Sequence, residues 1–551
     1  MDRRRHAIRA GAALLLSLLA WPAGAATQPL LLGEEDRILI LAPHPNDETL
    51  ATGGLIQEAL ALDLPVRVCI FTMGDNDEIA ALFTRRHPVP MPGAPQSLGM
   101  RRQNEAIAAA TQLGLSTNDL VFLGYPDSGT LDIWNHHWRE VPPYRSPLTR
   151  ANAVPYDRAL TPGSAHAGED ILDDLEEVIF GFQPTLLVVP HSADHNVDHR
   201  ALYLFARVAL WHLEPHGIAP VLLPAPVHFT QWPEPRQYHP MRPATPPYFL
   251  DGGISWLEFS LAPFQVSNKF AALQRHHSQF RATSACLDSF VRKSELFGDF
   301  PDLRLPGGAG SIAIAEDDTS QFQPDADLFQ QLSQQSDHWN AIADQSASET
   351  AALGGHGNDF TGRSVSGDGD RLTFSFQFSQ PLAESLTLVV SLFGYRNDVP
   401  FGEMPKIVIE LTPERIVAVK DIDSRRPEDS VELLPGGADS IAVRVPLAFL
   451  GDPGKILAGA KIFKKSLPVD GVPWRAIDLA PLLLAAPSAP ATNPPPASAP
   501  AVLPPANEPP PLPGEAVAPA RPKVTEALVP RVDLPRNPIP EMTEANEPVR
   551  W

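Results

Sequence analysis

Hydrophobic and polar positions fall in blocks along the chain. Ile38 to Ala42 is an unbroken apolar run behind the charged Glu34-Glu35-Asp36-Arg37, which is how a strand buried on both faces of a parallel sheet reads. Pro43 and Pro45 disfavour helix for the residues before them, and Glu48-Thr49-Leu50 restarts as one. Leu186 to Val189 repeats the arrangement, with Pro190-His191-Ser192-Ala193-Asp194-His195-Asn196-Val197-Asp198-His199-Arg200 leading into a second helix. Val66 to Thr72 and Val121 to Leu123 read as further strands, the first ending in the acidic loop Met73-Gly74-Asp75-Asn76-Asp77. Strands alternating with helices predict a mostly parallel sheet with helices on its faces. Ligands bind such sheets at the carboxyl-end rim, where the loops after Ala42 and Val189 can converge although far apart in sequence.

Beyond about residue 300 the pattern changes. Residues 301–355 read as a connector with one helical piece around Asp325 to Ala343. From Arg371 apolar and polar residues alternate, in Leu372 to Phe378, Leu386 to Phe393, Lys406 to Leu411, Ile416 to Val419, Ile441 to Val445 and Lys455 to Phe463. Short strands punctuated by Gly, Pro and Asp predict a smaller antiparallel β-sandwich over 356–480. Residues 481–551 are rich in Pro and Ala and cannot build a core, so a disordered tail acting as tether or spacer is expected. At the other end, the basic Arg3-Arg4-Arg5, the short apolar Ala10 to Trp21 and Ala23-Gly24-Ala25 predict a cleaved secretory signal peptide over 1–25. The expected location is therefore secreted or periplasmic, with no transmembrane span after cleavage.

The 551 residues leave room for two or three domains plus tails. A formal charge of −22 argues against a nucleic-acid partner, whose phosphates need a basic footprint. Two cysteines, Cys69 and Cys286, are too few for a disulfide framework, and a buried free Cys69 is expected.

The chemistry concentrates at the strand ends. His44 and Asp47 supply an imidazole nitrogen and a carboxylate oxygen, two donors that zinc accepts, and the second loop is the source of a third. His191, His195 and His199 stand four residues apart, which on a helix would align them, but Asp194, Asn196 and Asp198 favour loops and caps. His199 is taken as the ligand, with His195 a second-tier alternative. Trp134, His136, His137, Trp138 and Tyr144 cluster between 128 and 170; they suit either a sugar platform or packing against the core.

The pair Pro43-His44-Pro45-Asn46-Asp47-Glu48 and Asp194-His195-Asn196-Val197-Asp198-His199 resembles the signature motifs of the PIG-L/LmbE-like zinc-dependent N-deacetylases. Arg102-Gln103-Asn104-Glu105, Gly124-Tyr125-Pro126-Asp127 and the stretch Lys269 to Gln279 with His276 resemble that family's accessory motifs, so the likeness covers roughly residues 36–280. It implies an α/β domain over 26–300 with a Rossmann-like, mostly parallel sheet flanked by helices. It also implies that His44, Asp47 and His199 bind Zn2+, a donor set that other divalent transition metals accept too. Asp198, with Asp194, is implied in a base or orienting network, and Arg102, Asp127 and His276 at the substrate end. Asn46 stands where many members carry an Asp that acts as general base, and it cannot take a proton. Either another carboxylate (Asp194, Asp198 or Glu48) takes over, or metal-activated water reacts without a strong base, or the protein binds without turning over.

The function implied is an exported zinc-dependent hydrolase that removes the N-acetyl group of an N-acetylated amino sugar or envelope glycoconjugate, with cell-envelope polysaccharide as a partner. The competing readings are hydrolysis of another amide or acyl-amine conjugate, and a metal-retaining carbohydrate-binding protein. The Leu447 to Leu450 turn and Val472-Pro473-Trp474-Arg475 are weakly similar to carbohydrate-binding modules; a sandwich without ligand is the alternative.

Overall fold

After a two-residue strand β1 (Gln28–Pro29), five apolar runs become one parallel sheet: β2 (Ile38–Ala42), β3 (Val66–Thr72), β4 (Leu120–Tyr125), β5 (Leu186–Pro190) and β6 (Val221–Ala225). Their spatial order is β4-β3-β2-β5-β6, with Ile38 opposite Val66 on one side and Leu186 on the other. The chain winds outward from β2 to β4, then returns to β5 beside β2. That reversal leaves a crevice between the loops leaving β2 and β5, where ligands bind in open α/β sheets. All five residues of β2 and of β5 are buried, which accounts for their lack of alternation.

The computed structural model describes residues 27–76, 93–138, 142–229, 232–247, 250, 253–307, 310–314, 360–383, 385–422, 424–464 and 467–485. The signal peptide, the helix around Asp325 to Ala343 and all but the first residues of the Pro-rich tail are expectations that lie outside these residues. No described helix is long and apolar enough to cross a membrane.

Helices α1 (Asp47–Ala61), α2 (Ala94–Leu113), α3 (Thr130–His136), α4 (Gly168–Phe182), α5 (Val197–Leu213), α6 (Pro263–Leu273) and α7 (His277–Leu287) cover the sheet. α1, α2 and α6 pack together, as do α3, α4 and α5. Strands β7 (Leu257–Ser260) and β8 (Ser294–Phe297) join β1 in a small sheet. A buried ion pair fastens this sheet to α1. Glu295 accepts from Lys269 Nζ at 2.7 Å and from the backbone N–H groups of Gly54 and Leu55 at 2.7 and 2.9 Å. Gly54 permits the approach, because a Cβ there would stand 2.3 Å from Leu261. Cys69 is buried and is a free thiol.

The alternating segment forms two sheets. One contains β10 (Ser311–Ile314), β11 (Phe360–Asp368), β12 (Arg371–Phe378), β17 (Glu432–Leu434) and β18 (Ser440–Pro446). The other contains β9 (Leu303–Arg304), β13 (Leu386–Tyr395), β14 (Lys406–Leu411), β15 (Ile416–Asp421), β16 (Ser424–Arg426), β19 (Lys455–Lys464) and β20 (Leu467–Asp478). Leu372, Phe374, Phe376 and Phe378 of β12 all point into the shared core, as a period of two requires. β9 and β10 come from the segment read as connector. Strands of two and four residues are too short for alternation to register.

The two parts meet along an aromatic seam. Trp134 of α3 stacks on Phe393 of β13, with centroids 5.6 Å apart and planes at 19°, and meets Trp474 of β20 edge-on at 6.4 Å. Trp138 packs against Phe401 at 5.0 Å. Lys406 Nζ lies 4.4 Å above the Trp138 ring and donates to the Phe401 and Met404 carbonyls; burial pushes its pKa down to about 7. Trp134 and Trp138 are thus core residues, and the packing alternative holds for them over the sugar platform. Trp474, in the stretch weakly similar to carbohydrate-binding modules, packs into the same seam.

Candidate metal centre

The β2–α1 turn is built around a strained residue. Asn46 has φ 131° and ψ −24°, a backbone conformation that side chains with a Cβ rarely adopt. Its N–H donates to Glu48 Oε2 at 2.8 Å, and its carbonyl accepts from Thr49 and Leu50. The turn folds Asp47 back beneath His44. Asp47 Oδ2 accepts from the His44 N–H at 2.9 Å and lies 3.1 Å from His44 Nδ1.

The β5–α5 turn is a capped helix start. The Asn196 side chain accepts from the N–H groups of Asp198 and His199 at 2.8 and 3.4 Å, and Asp194 Oδ1 accepts from the Asn196 N–H. This puts His199 in the first turn of α5, with Nε2 3.0 Å from Asp47 Oδ2 and Nδ1 3.0 Å from Asp194 Oδ2. A third strand end also arrives: His228, beyond β6, has Nε2 3.7 Å from Asp47 Oδ1. Ligand atoms of His44, Asp47, His199 and His228 all lie within 4.8 Å of one another.

The donor set tests whether a metal fits. Asp47 Oδ1 is buried and makes no hydrogen bond within the protein, as expected of a lone pair aimed at a bound ion. Imidazole nitrogens with a carboxylate oxygen suit Zn2+ and its neighbours, so the residues fit such an ion. A second grouping, His44 with Asp127 and Asp198, lies on the other nitrogen of His44: Nε2 is 3.1 Å from Asp198 Oδ2 and 3.6 Å from Asp127 Oδ1. An imidazole that gives one nitrogen to a metal is commonly oriented through the other by a carboxylate.

The remaining expected residues have definite places. Asp198 is fully buried; it accepts from the Ser128 N–H at 2.7 Å and from Thr130 Oγ1 at 2.5 Å while facing His44. Its lone pairs are therefore occupied, and Asp194 is engaged on both oxygens, accepting also from the His228 N–H at 3.0 Å. Asp127 accepts from the Asn76 N–H at 3.1 Å. Burial would raise its pKa, but His44 and Arg102 outweigh that and hold the carboxyl well below the usual range. Arg102 donates to the Gly74 carbonyl at 2.6 Å, a position with φ 63° where a Cβ would collide with the guanidinium. His276 stands apart from the cluster, with Nε2 3.2 Å from Glu48 Oε1. Glu48 also accepts from the Asn46 N–H and Thr49 Oγ1, so it braces the turn.

Charge in the crevice is mutually balanced. Burial alone would neutralise His44, Asp47 and His199, yet the carboxylates around the histidines raise their pKa, that of His199 to about 9, and the histidines lower that of Asp47. Asp75 lacks such a partner: burial, then the Asp127 charge, push it up to about 7, while Tyr156 donates to it at 2.5 Å. Sequence reasoning passed over His228, although a histidine just past an apolar run is the signal that marked His44.

Comparison with known proteins agrees with the motifs. Residues 39–210 match the family model described as PIG-L, GlcNAc-PI de-N-acetylase. A 1D-myo-inositol 2-acetamido-2-deoxy-alpha-D-glucopyranoside deacetylase of Saccharopolyspora erythraea is 32% identical over 167 residues, 30% of this chain and 48% of the relative. Its counterpart from Gordonia bronchialis is 29% identical over 178 residues, 31% of this chain and 56% of the relative. The chain thus spans about half the length of these curated relatives. Among solved structures, the N,N'-diacetylchitobiose deacetylase from Pyrococcus horikoshii aligns at 15% identity and a TM-score of 0.28, over 44% of this chain and 71% of that one. Residues 39–210, which match the PIG-L family model, carry the β2 and β5 turns with all but one member of the cluster.

Proposed function

We propose that the α/β part of this protein is a metal-dependent N-deacetylase acting on an N-acetylated amino sugar or its glycoconjugate, and that the chain is exported. The observation that carries this is the convergence of His44, Asp47 and His199 from two strand ends inside the family segment. The matched relatives are named as deacetylases of an acetamido-sugar conjugate, which supports the substrate class. His44, Asp47 and His199 would hold the metal. When bound, Zn2+ supplies Lewis acidity to an amide carbonyl and acidifies water. Asp194 keeps the His199 ring turned toward Asp47, and Asp198, itself fixed by Ser128 and Thr130, does the same for His44. Asn46 takes no proton, so turnover runs without the strong base that typically contributes about 10²–10⁴ in rate. A second reading, a metal-retaining carbohydrate binder, is favoured by that same residue.

The test is release of free amine and acetate from N-acetylglucosamine oligomers by the zinc-loaded full chain and by its Asn46→Asp and Asp47→Ala variants. Turnover lost in Asp47→Ala supports the deacetylase. An inert wild type with an active Asn46→Asp supports the binder, and three inert proteins with metal bound refute the substrate class. Export predicts that the secreted product begins near Ala26, which N-terminal sequencing reads directly.

A further inference from the structure

Three strand ends, rather than two, reach the crevice. His228 follows β6 and presents Nε2 to Asp47 Oδ1, the carboxylate oxygen left without a hydrogen-bond partner. Its ring stands edge-on to His199 at 4.6 Å and to His44 at 6.3 Å, at 78° in both cases. The backbone holds it in place. The His228 N–H donates to Asp194 Oδ2 at 3.0 Å, the oxygen that also lies 3.0 Å from His199 Nδ1, and the His228 carbonyl accepts from the His195 N–H at 3.1 Å. One carboxylate thus registers the β5 and β6 loops against each other and sets two imidazoles around one point.

We propose that His228 is a fourth protein ligand of the metal held by His44, Asp47 and His199; this rests on the metal site of the proposed function. Three protein ligands on Zn2+ leave a position for water, whereas four fill a tetrahedral shell. His228 is also the one of the four that faces solvent: its side chain is 38% exposed, against 9% for His44, 3% for Asp47 and none for His199. The resting site is therefore closed by the ligand best able to swing outward. With the ion bound, an outward swing of His228 would open a place for a substrate carbonyl. The side chain is partly open to solvent, so replacing it removes little packing.

The test uses metal-free full-length protein titrated with Co2+, followed by visible absorption, and Zn2+ affinity measured by competition with a chromophoric chelator. In His228→Ala the intensity and position of the Co2+ ligand-field bands change and Zn2+ affinity falls at least about tenfold, the lower end of what even outer-shell partners of a site contribute. In His228→Gly, added imidazole restores the wild-type Co2+ spectrum. Circular dichroism and thermal unfolding of the metal-free variants match the wild type. Unchanged Co2+ bands and Zn2+ affinity in His228→Ala overturn the fourth ligand and leave the three-residue site standing. Failure of the wild type to take up either ion overturns both.

Discussion

Asp75 makes a prediction whose sign and size follow from its surroundings. The carboxyl is buried beside Asp127, with a pKa raised to about 7 from the ordinary 3.8. Between those values the unfolded chain has released the proton that the folded chain keeps, so folding stability falls as pH rises through that window. The penalty approaches about 1.4 kcal/mol per pH unit and is complete once pH exceeds the folded value. Asp75→Asn retains an acceptor for Tyr156 and cannot ionise. The stability gap between variant and wild type should therefore widen in favour of the variant by about 2 kcal/mol from pH 5 to pH 7, and level off above about pH 8. Urea denaturation of the metal-free proteins at half-unit pH steps measures the gap. A gap constant across the range would show that Asp75 titrates as an ordinary carboxylate, and a narrowing gap would reverse the sign of the argument.

Other perturbations bear on separate parts of the molecule. Glu295→Ala strands the buried Lys269 ammonium and two N–H groups of α1, and should cost about 3–5 kcal/mol by urea denaturation, whereas Lys269→Met with Glu295→Leu should cost far less. Trp134→Ala empties the centre of the aromatic seam and should cost about 3–5 kcal/mol, with Trp134→Phe well below that in the same assay. Asp194→Asn should weaken Zn2+ binding about 10–100-fold by chelator competition with little change in metal-free stability, because this carboxylate orients ligands from two loops.

Much of the α/β architecture was legible because buried parallel strands leave continuous apolar runs, and because His44, Asp47 and His199 follow two of them directly. The same logic applied to the loop after β6 would have found His228. The run Val221 to Ala225 is as apolar as the others, though Val221 is exposed and Leu222 half-buried where β2 and β5 are buried throughout. Asp198 and Asp194 were legible as partners of histidines, but the pattern did not reveal how fully their oxygens are engaged. Their acceptor sites are filled by Ser128, Thr130, Asn196 and His228, contacts that arise only once separate loops are folded together. Glu48 and His276 face one another behind the turn, a pairing between distant segments that spacing alone does not show. Between 128 and 170, Trp134 and Trp138, which suited a sugar platform, are instead packed where the two parts of the chain meet.

The aromatic seam changes what the sandwich can do for the α/β part. Accessory modules on flexible linkers act by effective concentration: they bind a polymer, and the tether length sets how often the catalytic site meets the next chain. Trp134 and Trp138, sealed between α3 and the strands bearing Phe393 and Trp474, leave no such freedom among the described residues. Each aromatic buries about 150–250 Å2, so parting the two faces would expose several hundred Å2 of apolar surface, at about 25 cal/mol per Å2. Moreover, α3 begins at Thr130, whose hydroxyl holds Asp198 against His44. The sandwich is therefore a splint for the crevice, and a fragment trimmed after residue 300 would lose the surface that keeps α3 in place.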